Sequence, residues 1–175
     1  VAAIDKLDLT SRPRLHDTKQ MFIFACYAGG IRVSDLLQLK WKDFNGTHLS
    51  FTQQKTKEQI SVKLPSLALE ILRYYKKITG PDLPNYIFPF LRNDILEEGI
   101  FDAISSQTAY LNKNLKEIAS LAGIDKNLSM HVSRHTWATR ALRKGISIDK
   151  VSKLMGHGSI KTTQVYAKIV NTELD

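Results

Sequence analysis

The 175-residue chain has a single cysteine, Cys26. One thiol excludes an internal disulfide and argues against a cysteine-rich metal site. Cys26 lies in the apolar run MFIFACYA, where a core role is expected. No apolar run approaches the roughly 18 residues of a membrane helix. The N-terminus carries no secretory signal pattern, so the expected compartment is the cytoplasm. Internal repeats and low-complexity tracts are absent as well, which leaves one ordinary globular domain. The opening, VAAIDKLDLT, lacks Met and reads as an excerpt from a longer protein. Acid is scarce in one place above all. Residues 126–168 hold nine Lys or Arg and one acid, Asp149.

That stretch accounts for the whole formal net charge of +8, and the rest of the chain balances to zero. Basic charge gathered in one segment points to a polyanionic partner. The plainer alternative is a set of solvated basic faces. A hydrophobic fraction of 43% and this length suffice for one domain with a real core.

Local patterns predict a mainly α protein with a small antiparallel β-sheet, in the α+β class. Residues 1–16 read as a linker or strap, and 17–175 as the folded domain. Asp17 is expected to cap a helix through MFIFACYAGG that ends at Gly29–Gly30. A short helix follows in IRVSDLLQLKW. Asn45–Gly46 signals a turn. The alternating runs THLSFTQQ and EQISVKLP predict a hairpin with Lys55 near its tip. Ser66 is expected to cap the amphipathic SLALEILRYYKKITG. PDLPNYIFPF reads as a Pro-rich connection with a short extended piece. Residues 91–104, with Asp94, Glu97, Glu98 and Asp102, read as an exposed insertion. Further helices are expected at about 105–122, 131–143, 147–155 and 159–169.

Four pieces could carry chemistry: GGIRVSDLLQLKW, the KTK turn, HVSRH and LMGHGSIKTTQVY. Each is weak alone. Arg32 could pair with Asp35, Lys55 could be a solvated turn residue, His157 a helix cap and Tyr166 half-buried packing. His131 and His135, at i and i+4, have the spacing of a zinc helix. Three features oppose zinc. Val132 stands where such a motif needs Glu, no third ligand stands out, and Arg134 is a cation between the two histidines.

Together and in order, these pieces resemble the tyrosine recombinase family, also called phage-type integrases, from about residue 17 to 168. The resemblance rests on Arg32 in GGIRVSDLL and on a turn lysine before a strand ending in Leu-Pro. It continues with H-x-x-R-H at His131, Arg134 and His135, and with Gly156–His157 followed by Tyr166 nine positions after His157. Lys55 matches the turn lysine better, with Lys57 as the rival. The resemblance implies a catalytic domain that cleaves and rejoins double-stranded DNA through a 3′-phosphotyrosyl intermediate. It implies Arg32 and Arg134 as a phosphate clamp, Tyr166 as nucleophile, His131 as base, Lys55 as general acid and His157 as hydrogen-bond donor. His135 is expected to position Arg134 or pack the helix.

The residue types suit those tasks. Arginine stays charged and binds two phosphate oxygens in one plane. A phenol of pKa about 10 needs help to attack at neutral pH. Lys57, Arg140, Arg143, Lys150, Lys153 and Lys161 are candidate phosphate contacts. The resemblance further implies no cofactor or metal, a missing N-terminal clamp domain, a tetramer on paired DNA sites, and a bacterial, nucleoid-associated setting such as a mobile element. A type IB topoisomerase and a non-catalytic helical repressor are the competing readings.

Overall fold

The computed structural model describes residues 1–80, 82 and 85–172. Eight helices and one hairpin follow in chain order: α1 (Ala2–Asp5), α2 (Pro13–Tyr27), α3 (Val33–Leu37), β1 (His48–Thr52), β2 (Gln59–Lys63), α4 (Ser66–Thr79), α5 (Ile100–Leu121), α6 (Met130–Arg143), α7 (Ile148–Met155) and α8 (Lys161–Thr172). Short 3-10 turns span Trp41–Asp43 and Glu97–Gly99.

Helix α2 is the axis of the main core. Its run Met21–Cys26 is apolar all round and wholly buried, as such a helix must be. It packs against α4, α5 and α6. The strands pair antiparallel, with Leu49 opposite Val62 and Phe51 opposite Ile60. Those four alternate inward onto the core while their neighbours face out. A second, smaller apolar cluster joins Trp137, Ala138, Ala141, Val151, Met155 and Tyr166 from α6, α7 and α8. Helix α6 belongs to both, because Met130 at its start packs in the main core. The two clusters therefore meet along one helix.

Several local expectations change. The helix expected to start near Asp17 starts at Pro13, a residue suited to a first turn because it has no N–H to leave unpaired. Asp17 lies inside α2 and accepts a 2.7 Å hydrogen bond from the buried Tyr75 hydroxyl. Residues 1–16 include α1 and the start of α2, with Ile4, Leu9 and Leu15 in the core. A boundary at 16/17 thus falls within a helix. Ser66 is the first helical residue and Pro65 the cap position. Residues 91–104 are not a wholly exposed insertion. Helix α5 begins at Ile100, and Ile100, Ala103 and Ile104 pack on the core at i, i+3 and i+4, with Leu91 buried before them. Leu96 and Phe101 do face outward. In the Pro-rich connection, Tyr86 bridges to Lys40 as a short extended piece, while Pro81, Leu83 and Pro84 lie outside the described residues.

Helix α6 is held at its N-terminus from another element. Ser129 makes no side-chain cap there. Instead the side-chain oxygen of Asn112, on α5, accepts the Met130 backbone N–H at 2.8 Å. One of the four orphan donors of a helix start is thereby satisfied. Replacing Asn112 by Ala should lower stability by about 1 kcal/mol, the usual worth of a lost cap. Urea unfolding followed by circular dichroism should show a lower midpoint with an unchanged slope. An unchanged midpoint would mean that water replaces the cap at no cost.

Candidate active site

The seam between the two apolar clusters is where the distant motifs meet. Arg32 stands at the start of α3, with Ile31 between it and the Gly29–Gly30 pair. Gly30 has φ +65°, and a Cβ there would lie 2.8 Å from the Trp137 ring. Only glycine lets the backbone come this close to α6. Its carbonyl uses that approach to accept a hydrogen bond from Arg134 Nη1 at 2.5 Å. Arg134 Nη2 donates to the carbonyl of Met155, at the end of α7. Arg32 Nη2 donates to the carbonyl of Gly156 at 2.9 Å. Both guanidinium groups are therefore tied to the same helix end.

Gln53 completes the cluster. It sits at the third inward position of the first hairpin arm, after Leu49 and Phe51, and is 1% exposed. Its Oε1 accepts from Arg32 Nη1 at 3.0 Å and from the Thr56 hydroxyl at 2.8 Å. Its Nε2 donates to the Leu154 carbonyl at 3.0 Å. One side chain thus joins the hairpin turn, the first arginine and α7. Sequence reading passed over it. The available signal was a polar residue continuing the inward alternation of a strand. Gly156 has left-handed geometry at φ +58°, and a Cβ there would fall 2.0 Å from Gln53 Oε1.

Two like charges side by side in a desolvated place are costly. Burial, then Arg32, pull the Arg134 pKa down to about 10, so the group stays charged at neutral pH. The carbonyl partners satisfy donors without neutralising charge. Asp35 is the carboxylate near both arginines. It does not form the ion pair with Arg32 considered from sequence. Its Oδ1 accepts the Gln54 backbone N–H at 2.9 Å, and Oδ2 has no hydrogen-bond partner among the described residues. Burial raises its pKa against the pull of the backbone hydrogen bond, Arg32, Arg134 and Lys57. Each guanidinium has five N–H donors, and two are used in each case among the described residues. Beside them opens a cavity of about 270 Å³ whose lining includes Arg32, Arg134, His131, Thr108 and Asn112.

Tyr166, on α8, is 6% exposed and faces this seam. Burial raises its pKa, and the opposing pull of Arg134 is the smaller effect. The expectation that the arginines would favour phenolate is thus outweighed by desolvation, and the resting residue is a phenol. The His135 ring centroid lies 5.3 Å from that of Tyr166, and His131 meets His135 edge-on with centroids 4.4 Å apart. His135, expected to be supporting, is thus beside the tyrosine. Burial first, then His131 and Arg134, lower its pKa. No third His, Cys, Asp or Glu joins the two histidines in a metal-binding group among the described residues. His157 follows the α7 end, and its pKa falls to about 4 through burial and the positive charges of Arg134 and Arg32. It is a neutral imidazole at pH 7.

Lys55 and Lys57 are both exposed on the hairpin turn. Lys57 has φ +59°, and its charge reaches Asp35. The outer cations divide. Lys150, Lys153 and Lys161 are exposed on α7 and α8, and Arg143 is exposed at the end of α6. Arg140 lies over the Tyr27 ring, 4.3 Å from its centroid, in a separate groove with Cys26 and Trp137. Cys26 itself is fully buried, and burial raises its thiol pKa to about 12. It is an inert core residue.

Residues 7–173 match the sequence model of the phage integrase family. The tyrosine recombinase XerD of Listeria monocytogenes is 34% identical over 169 residues, covering 94% of this chain and 54% of that protein. The crystal structure of XerA recombinase superposes with a TM-score of 0.66 at 25% identity, over 94% of this chain and 54% of that one. A post-cleavage complex of XerH site-specific recombinase with palindromic difH substrate gives 0.69 at 24% identity, over 99% and 48%, a likeness of fold. The chain spans about half the length of the relatives it matches.

Two predictions follow from the seam. Gly156→Ala forces a left-handed alanine, at about 1–2 kcal/mol, and displaces Gln53 as well. Urea unfolding should show a loss of at least that size, partly recovered when Gln53→Ala is added. A loss under about 0.5 kcal/mol, the range of an ordinary surface change, would mean Gln53 moves aside freely. The second concerns acid. His157 and His135 have folded pKa values below their unfolded ones, so below pH 6.5 the unfolded chain binds more protons. Stability should therefore fall from about pH 6.5 towards 4. Thermal melts of His157→Gln should show a smaller fall across that window; an identical fall would place the proton uptake elsewhere.

Proposed function

The chain belongs to the phage integrase family of tyrosine recombinases, and from that premise we propose that it is the catalytic domain of a site-specific DNA recombinase. The observation that carries the reading is the convergence of Arg32, Arg134, His157 and Tyr166, from four separate segments, at one seam. Two arginines with unspent donors suit a phosphate whose non-bridging oxygens gain charge as it is attacked.

In this reading Tyr166 Oη attacks the scissile phosphorus. The phenol proton passes to the histidine pair, His131 and His135, with His135 the nearer ring. The bond from phosphorus to the 5′-oxygen breaks as a 3′-phosphotyrosyl bond forms, and Lys55 donates the proton that the leaving oxygen needs. Lys57 is the rival acid, supported by its electrostatic link to Asp35. One phosphodiester replaces another, so the step needs neither ATP nor metal. A 5′-hydroxyl from a second strand reverses it and joins new partners. Double-stranded DNA is the substrate, and a tetramer on paired sites, completed by an N-terminal clamp domain, is the working assembly. Lys57, Arg140, Arg143, Lys150, Lys153 and Lys161 remain the proposed phosphate contacts, Arg140 after leaving its place on Tyr27. A type IB topoisomerase would use the same chemistry without synapsis, and a repressor would need none of it.

A nicked suicide DNA substrate in buffer with EDTA provides the test. The native chain should give a covalent adduct that survives denaturant, and Tyr166→Phe should give none. An adduct in Tyr166→Phe would overturn the nucleophile. Absence of adduct in the native chain on several substrates, with binding retained, would favour the repressor. Binding should also weaken steeply with salt, and Lys150→Gln with Lys153→Gln should flatten the plot of log affinity against log salt by about two units. An unchanged slope would turn those lysines away from DNA.

A further inference from the structure

His157 Nδ1 lies 2.8 Å from the hydroxyl of Thr163, on the first turn of α8. Thr163 is 0% exposed. Among the described residues, the imidazole is the only hydrogen-bond partner of that hydroxyl. A buried hydroxyl must place its proton on an acceptor. Here the acceptor is His157 Nδ1. If Nδ1 carried the proton instead, the Thr163 O–H would be buried without an acceptor, at a cost of about 1–3 kcal/mol.

A neutral imidazole has one donor and one acceptor, and the bond made by one nitrogen fixes the other. We propose that Thr163 is a positioning residue: its hydroxyl donates to Nδ1 and so holds His157 as the tautomer with its proton on Nε2. That nitrogen is then a hydrogen-bond donor for a phosphate oxygen at the seam. The charged groups facing the ring are Arg134 and Arg32, with His135 beside them, and all three oppose a second proton on it. A neutral donor has an advantage in such company. It contributes a hydrogen bond without adding a third cation to two arginines already in mutual repulsion. Thr162, one residue earlier, is exposed and has no such contact.

The inference rests on the strand-transfer reading for its purpose, but the tautomer is a property of the free protein. Long-range proton–nitrogen correlation NMR on histidine-¹⁵N-labelled chain reads it directly. His157 is assigned by loss of its signals in His157→Gln. The native chain should show Nε2 protonated and Nδ1 bare at pH 7. Thr163→Val, which keeps the shape and removes the hydroxyl, should give a mixture of tautomers, and Thr163→Ser should restore the native pattern. On the suicide substrate, Thr163→Val should slow adduct formation about tenfold to a hundredfold, as loss of a histidine's orienting partner does elsewhere, with Thr163→Ser near native. A native His157 protonated on Nδ1, or an unchanged tautomer in a folded Thr163→Val, would overturn the proposal. If the tautomers behave as stated and no variant cleaves DNA, the positioning role stands and the strand-transfer reading is what fails.

Discussion

Two guanidinium groups of like charge sit side by side at this seam, held by the carbonyl oxygens of Gly30, Met155 and Gly156. Backbone carbonyls suit this task. They accept the donors firmly, yet leave the positive charge unneutralised for an incoming anion. Carboxylate partners would have closed the site by pairing with the arginines. Among the described residues the carboxylate in range, Asp35, accepts a backbone N–H on its bonded oxygen instead. The repulsion between the arginines is therefore borne by the fold, and a bound phosphate would relieve it.

This arrangement also explains how the small second cluster stays in place. Trp137, Ala138, Ala141, Val151, Met155 and Tyr166 form a modest apolar contact. Bonds from Arg32, Arg134 and Gln53 tie its α7 end to the main domain. The two arginines proposed to hold a phosphate are thus also fasteners of the helices that carry His157 and Tyr166. Gly30 and Gly156 are the points where close approach makes this possible. A Cβ at Gly30 would meet the Trp137 ring, and one at Gly156 would meet Gln53 first and then Arg32.

The candidate site was legible in the sequence through motifs whose order and spacing resemble a known family, each of them weak alone. The family resemblance singled out Arg32, Arg134, His157 and Tyr166, which the fold brings to one seam, and the hairpin followed from alternation and turn residues. Gln53, and the contact made by Thr163, one of the two threonines in LMGHGSIKTTQVY that belong to the family resemblance, could not be read so easily. Their roles depend on which atoms meet after folding, and a glutamine in a strand or a threonine in a helix has many ordinary uses. The acidic run at 94–102 misled in the opposite way. Its charges suggested a solvated insertion, while Ile100, Ala103 and Ile104 already carried a helical spacing that seats α5 on the core. Asp17 read as a cap because caps are often acidic, yet its position was set by the buried Tyr75 hydroxyl.

The order of events at the tyrosine is constrained by its burial. In the resting protein Tyr166 is a protonated phenol, since desolvation outweighs the nearby arginine. In the proposed reading, activation then comes with substrate rather than before it. A phosphate beside Arg32 and Arg134 would cancel much of their pull on a phenolate, so charge alone does not make the nucleophile. In the proposed reading a neutral base takes the proton, and the His135 ring, its pKa lowered by burial, His131 and Arg134, lies with its centroid 5.3 Å from that of Tyr166. The same surroundings keep His157 neutral. Burial lowers the proton affinity of His135 and His157 and raises that of Tyr166, so passing the phenol proton to His135 is uphill in the resting protein and, in the proposed reading, has to be coupled to attack on the phosphate.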